Sequence, residues 1–181
     1  MTERRTLPNK MPDFARLMAL YEENYRQLTL LVDDHDLAED RYISRVDGEL
    51  PLYLEVLERH RYTTFARLTY VIDDGAGLRS LDPDAHIRIY HDAQVAEATH
   101  CYPGQINQPL FGALVPVNDV YEHRWRVNRF LDRWLEYLIQ RGHGLNTLSV
   151  ADEIDWVLSH VDGSDDDAPP AGRPDTAKRE S

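Results

Sequence analysis

The sequence is poor in cysteine and lacks any long apolar run. Cys101 is the single cysteine among 181 residues, so no disulfide can form within the chain and no thiolate cluster can hold a structural zinc ion. No stretch of the sequence approaches eighteen consecutive apolar residues, and the charged N-terminus is not followed by an apolar run. These absences predict a cytoplasmic protein with an ordinary hydrophobic core, which does not associate with membranes.

Positive charge is also scarce, and so are the patterns of known catalytic sites. The chain has 32 acidic and 20 basic residues, and its net charge of −12 disfavours binding to nucleic-acid phosphates. Neither an H-E-x-x-H nor a G-x-G-x-x-G pattern is present. We therefore expect no cofactor, no metal and no catalytic residue, and interpret Cys101 as a small core residue.

Residues 86–101, HIRIYHDAQVAEATHC, predict an antiparallel hairpin around which the rest of the chain is organised. Pairing Tyr90 with Val95 reverses the chain at His91-Asp92 and separates an apolar face from a charged one, as a half-buried hairpin requires. The opposed pairs are then Ile87 with Ala98, Ile89 with Ala96, and Arg88 with Glu97.

A second hairpin is expected within residues 52–72. Pairing Arg59 with Thr63 leaves the loop His60-Arg61-Tyr62 and also places Glu55 opposite Arg67 on one face. The other face is then entirely apolar and consists of Leu52, Leu54, Val56, Ala66, Leu68 and Tyr70.

Helical spacing of apolar residues occurs on both sides of these strands. It predicts a helix at 12–32 and a longer one from Asp119 to the glycine at Gly142, and a short strand is expected at 41–46. The fold class is α+β: a five-strand antiparallel meander flanked by an N-terminal and a longer C-terminal helix, both packed on the sheet.

The predicted domain organisation follows from these elements. Residues 1–10 are expected to be a flexible N-terminus, 11–145 a single α+β domain, 146–162 a segment with one short helix, and 163–181 a disordered acidic tail. The short helix has an apolar stripe of Ile154, Val157, Leu158 and Val161.

Four stretches resemble the YqiB family of small uncharacterised gammaproteobacterial proteins, which is classed as a domain of unknown function. They are PDFARLMALYEENY near the start, RYTT at 61–64, RIYHDAQVAE at 88–97 and NRFLDRWLEY at 128–137. The resemblance covers about residues 9–145, whereas His60 and the acidic tail depart from the family pattern. It implies a bacterial cytosolic protein but brings no established activity, cofactor or catalytic residue.

In an up-and-down meander, the two hairpin loops emerge at the same end of the sheet. This places His60, Arg61, Tyr62, His91 and Asp92 on one loop rim, the name we use for these five residues. Such side chains can bind an anion or a protein partner, hold a metal, or perform acid–base chemistry. In the alternative interpretation they are structural: Asp92 shapes its own turn, and Arg61 and Tyr62 close their loop by packing.

Two hypotheses about function remain open. In the first, the chain is an accessory or adaptor protein, not an enzyme, that binds a protein partner or a small anion through the loop rim. In the second, it is a small-molecule carrier or enzyme with a pocket between the sheet and the C-terminal helix. Aromatic residues could line that pocket: Tyr21, Tyr25, Tyr53, Tyr70, Trp125 and Trp134.

The acidic tail gives the first testable prediction. Deleting residues 163–181 should leave the melting temperature nearly unchanged, because this segment contains too little apolar surface to bury. Thermal unfolding of the full and shortened chains measures the effect. A drop of many degrees would show that the tail docks on the domain.

Overall fold

The computed structural model describes residues 14–32, 37, 39–73, 75, 79–102 and 117–152. Its helices are α1, Phe14–Leu31, and α2, Val117–Gln140. Between them lie five strands: β1, Arg41–Ser44; β2, Leu52–Arg59; β3, Thr63–Asp73; β4, Arg79–Tyr90; and β5, Val95–Tyr102. A single 3-10 turn, Leu145–Thr147, and a short strand β6, Leu148–Val150, follow α2. Neither described helix is long and apolar enough to cross a membrane.

The strands form one antiparallel sheet in the order β5-β4-β3-β2-β1-β6, so the predicted count of five strands is wrong by one. The sixth strand returns after α2 and pairs with β1, with Tyr42 opposite Val150. Its three residues, of which Leu148 is half-buried and the other two are exposed, are too few to show an alternating pattern. They lie at the start of segment 146–162, whose predicted helical residues are outside the described part.

The β4–β5 hairpin has the predicted register, with Tyr90 opposite Val95 and Arg88 opposite Glu97. On its apolar side, two alanines of β5 face two isoleucines of β4: Ala96 opposite Ile89, and Ala98 opposite Ile87. The small alanine side chains leave room for the helices to approach this strand.

The β2–β3 hairpin has the predicted register along most of its length but not at its end. Val56 lies opposite Ala66 as expected, yet Arg59 pairs with Thr64 and not with Thr63. The irregularity falls between Val56 and Glu58, which makes Leu57 the extra residue of a β-bulge. The bulge permits a tighter loop, in which the His60 amide donates to the Thr63 carbonyl at 2.8 Å. The apolar face is preserved because the shift is confined to the strand end.

Both helices pack on the apolar face of the sheet. An apolar stripe of α2 is buried there, including Leu131, Leu135 and Leu138, each 0% exposed. Gly142 ends the helix as predicted: its φ of 93° lies in the left-handed region, which favours glycine. We call the opposite side of the sheet the outer face.

Asparagines of the two helices close the free edge of β5, which has β4 as its only neighbour among the described strands. Asn128 of α2 accepts a hydrogen bond from the Ala98 amide at 2.7 Å and donates one to the Ala98 carbonyl at 3.2 Å. Asn24 of α1 donates to the Asn128 side-chain oxygen at 3.2 Å and to the Ala96 carbonyl at 3.4 Å. Covering an edge with helices satisfies its backbone groups and prevents pairing with another chain.

Replacing Asn128 with alanine should therefore destabilise the domain strongly. The change leaves the Ala98 amide and carbonyl without their partner at a buried site, at a cost of about 2 to 4 kcal/mol in the free energy of unfolding. Urea unfolding measures this cost.

Asn146→Ala, at an exposed position of the turn before β6, is the matched control and should change stability by less than about 0.5 kcal/mol. Equal effects of the two substitutions would show that the bonds at the edge contribute little.

Candidate functional site

The two hairpin loops of the predicted rim do meet at one end of the sheet. The His91 amide donates to the Tyr62 carbonyl at 3.0 Å, and Thr63 lies opposite Tyr90 just below this bond. The contact arises because β3 is the neighbour of both β2 and β4, so the loops that leave these strands lie side by side. A backbone hydrogen bond thus fixes one loop relative to the other.

His91 is anchored to the scaffold through its side chain. Its Nε2 lies 2.8 Å from the Thr64 hydroxyl oxygen, and the residue is only partly exposed. Because Thr64 is buried on the apolar side of β3, the imidazole is directed toward the body of the domain. His91 therefore supports the rim and presents little of its ring to a ligand.

Asp92 makes the local bond that the structural interpretation expects. Its carboxylate accepts a hydrogen bond from the next backbone amide, that of Ala93, at 3.0 Å. Two residues later, Gln94 has a φ of 53°, a left-handed conformation that completes the reversal into β5. Asp92 therefore contributes to the shape of the turn.

Arg61 and Tyr62 occupy the tip of the rim. The Arg61 guanidinium carbon lies 4.9 Å from the centre of the Tyr62 ring, within the range of a cation–π interaction. Tyr62 is 50% exposed and Arg61 is exposed as well. Within the described part of the chain, Arg61 forms no ion pair with a carboxylate. The pair is thus an accessible cation on an aromatic ring.

His60 points away from this pair, onto the outer face. Its Nε2 is 3.1 Å from a Glu58 carboxylate oxygen, and its ring meets the Phe65 ring edge-on at 5.9 Å. The guanidinium carbon of Arg88 lies over the Phe65 ring, 4.6 Å from its centre. Aromatic and charged groups therefore continue from the tip of the rim down the outer face.

A polar cluster that the sequence did not predict lies further along the outer face. Arg67 binds Asp84 through two hydrogen bonds of 2.8 and 2.9 Å, although its register partner is Glu55. Burial alone would raise the pKa of Asp84, but hydrogen bonds from His86 and Arg67 outweigh it and lower the pKa to about 2. Asp84 therefore stays ionised at neutral pH, and its bonds to Arg67 join β4 to β3.

The described residues contain neither a metal-binding group nor a reactive thiol. No set of three or more histidine, cysteine, aspartate or glutamate side chains among them could hold a metal ion. Cys101 is buried in the core, and burial raises the pKa of its thiol to about 12. Its thiolate is therefore scarce at neutral pH, which agrees with its interpretation as a core residue.

The space expected between α2 and the sheet is filled by side chains. Trp134 packs edge-on against Tyr70 at 5.8 Å, whereas Tyr53 lies in a separate cluster on the outer face. A small depression does lie beside α1, with a cavity volume of only about 10 Å³. Its lining is almost wholly apolar, and includes Leu28, Val32 and Ile87. Such a surface offers few groups to orient a polar substrate.

Comparisons with known proteins agree on one family. The sequence profile of DUF1249, described as a protein of unknown function, matches residues 27–144. Relatives named "Uncharacterized protein YqiB" occur in Escherichia coli strain K12, in the O6:H1 strain CFT073 and in O157:H7. Each is 31% identical over 133 residues, which cover 72% of this chain and 91% of the relative. No solved structure matches the chain. The resemblance to the YqiB family is thereby confirmed.

Outside the rim, a buried histidine joins the end of α2 to the sheet. The Nδ1 atom of His143 lies 2.8 Å from the Ser44 hydroxyl, which in turn is 2.7 Å from the Thr147 hydroxyl. His143 is 2% exposed, and its Nε2 has no hydrogen-bond partner among the described residues. Burial lowers the pKa of His143 and outweighs the opposing effect of Glu49.

The stability of the protein should therefore fall as the pH drops from 7 to 5. The unfolded chain takes up a proton at His143 near the ordinary pKa of about 6.5, whereas the folded chain takes it up only at lower pH. Burial also lowers the pKa values of His100 and His123, which should act in the same direction. Urea unfolding at a series of pH values measures the slope.

His143→Gln should make the free energy of unfolding depend less steeply on pH, because the contribution of one histidine is removed. The matched control, Asn146→Ala, changes an exposed side chain that carries no titratable group and should keep the wild-type profile. If His143→Gln and the wild type show the same slope, protonation of His143 does not control stability in this range.

Proposed function

The chain belongs to the DUF1249 family of proteins of unknown function, and from that premise we propose that it is an accessory or adaptor protein that binds a protein partner through the loop rim. The observation that carries this proposal is the accessible Arg61–Tyr62 pair at the tip. The predicted partner presents a carboxylate beside an apolar group, because these two side chains offer a cation and an aromatic ring.

The chemistry of the pair favours recognition of a protein. A guanidinium binds a carboxylate through two parallel hydrogen bonds, and tyrosine and arginine are enriched where protein interfaces bind most strongly. The chain has a net charge of −12, and Arg61 has no ion-pair partner among the described residues, so its positive charge is available to an acidic partner. An acidic segment that meets it avoids the repulsion that it would experience elsewhere on the surface.

The rim is supported from below, which favours binding further. The bond from the His91 amide to the Tyr62 carbonyl and the bond between the His91 ring and Thr64 hold the tip in place. A surface already fixed in its bound shape loses less conformational freedom on association. In this proposal His91 positions the tip, and Arg61 and Tyr62 contact the partner.

The area around the tip also favours a protein over a small anion. Phe65 and Arg88 lie on the outer face next to His60, so aromatic and basic groups extend beyond the tip itself. A small anion requires several convergent donors, whereas Arg61 supplies a single exposed guanidinium. A protein segment can use the extended surface, with Arg61 and Tyr62 as its centre.

Arg61→Ala should abolish capture of the partner without changing stability. Wild-type and variant proteins are immobilised, exposed to a bacterial lysate, and the captured proteins are compared by mass spectrometry. Tyr62→Ala should weaken capture of the same protein, because the ring both positions Arg61 and supplies apolar contact. Arg133→Ala, which removes an exposed arginine of α2, is the matched control and should capture as the wild type does.

Three results would count against this function. They are an absence of specific capture by the wild-type protein, an equal loss of capture with Arg133→Ala, and capture that Arg61→Ala leaves intact. Calorimetric titration of wild type with phosphate and citrate tests the small-anion alternative. If phosphate or citrate binds and the binding depends on Arg61, the ligand of the loop rim is a small anion and not a protein.

A further inference from the structure

The outer face carries an apolar patch at the end of the sheet away from the loop rim. The patch consists of Ile43 of β1, Tyr53 of β2, Val71 of β3 and Leu81 of β4, and Ala151 packs against it. Ile43 is 1% exposed and Tyr53 7% exposed, although neither α1 nor α2 contributes to this cluster. A sheet with apolar side chains on both faces requires a second cover.

The end of the described chain leads directly to this patch. After α2, strand β6 pairs with β1, and the Ala151 amide then donates to the Arg41 carbonyl at 3.0 Å. This bond places Ala151 against Ile43 and its neighbours on the outer face. Asp152 is the last described residue, so the following segment begins beside the patch.

The segment that follows has a composition that suits such a surface. Its apolar residues Ile154, Val157, Leu158 and Val161 have the spacing of one helical face. An isolated helix of this length is unstable in water, because few hydrogen bonds compensate the cost of its first turn. It therefore needs an apolar surface to fold against, and the patch offers one.

We propose that residues 154–161 dock as a short helix on the outer-face patch formed by Ile43, Tyr53, Val71 and Leu81. Glu153 alone separates Asp152 from the docking segment, so the segment is held near the patch at a high effective concentration. A separate protein or a second copy would have to compete with this tethered segment. The docked helix gives the sheet a cover on each face, and this arrangement is independent of the loop rim.

A charge on the apolar stripe tests the docking. Leu158→Asp should lower the melting temperature by about 5 °C or more, because a charge cannot be buried against the patch without cost. Ser159→Asp adds the same charge one position away, off the stripe, and should shift the melting temperature by less than about 1 °C. Equal melting temperatures for the two variants would overturn the proposal.

A crosslink between the patch and the segment gives a second readout on the full chain. Leu81→Cys combined with Leu158→Cys should form a disulfide within one chain in oxidised glutathione, whereas Leu81→Cys with Ser159→Cys should form much less. Cys101 is buried and should not interfere. A disulfide that forms only between two chains, or equally in both pairs, would overturn the proposal. Dimerisation through the patch would also overturn the proposal. In that case the wild-type protein is a dimer, Val71→Asp separates it into monomers, and Leu158→Asp leaves the dimer unchanged.

Discussion

The described structure depends on the hydrogen bonds that Asn128 makes to the backbone of Ala98. Of the strands that the structure describes, β5 is the last on its side of the sheet, so its outward amide and carbonyl groups would be left without partners under the helices. The side-chain amide of Asn128 supplies both an acceptor and a donor to Ala98, much as a further strand would. The Asn128 side chain also accepts a hydrogen bond from Asn24 of α1 and donates one to the Arg124 carbonyl of α2. One residue therefore joins the sheet edge to both helices.

The loop rim is held by bonds other than those at the β5 edge. Both helices cover the apolar face and meet beside β5, where Asn24 and Asn128 are in contact. The rim is held by its own bonds, from the His91 amide to Tyr62 and from the His91 ring to Thr64, and its tip remains exposed. A rigid scaffold with an accessible cation and aromatic ring at a loop tip suits a protein that recognises another protein. Binding residues are commonly found on loops that a stable core positions.

Much of the fold could be predicted from the sequence because alternation determines which strand residues share a face. The Tyr90–Val95 register is confirmed for this reason, and so is the meeting of the two hairpin loops at one end. The Arg59–Thr63 pair was wrong because a bulge at Leu57 changes the register without disturbing either face. Alternation cannot reveal such a bulge, and three residues of β6 are too few to alternate at all.

The side-chain roles were harder to predict than the fold. A polar residue on the buried face of a helix is costly unless it is hydrogen-bonded, so Asn24 and Asn128 did carry a signal that the apolar pattern overlooked. Whether His91 faces a ligand or Thr64 depends on local geometry that no spacing encodes. Amide hydrogen exchange at Ala98 is the most direct test of the account. If Asn128 closes the edge, the Ala98 amide should exchange about as slowly as that of Leu68 in β3; exchange at the rate of an unbonded amide would contradict it.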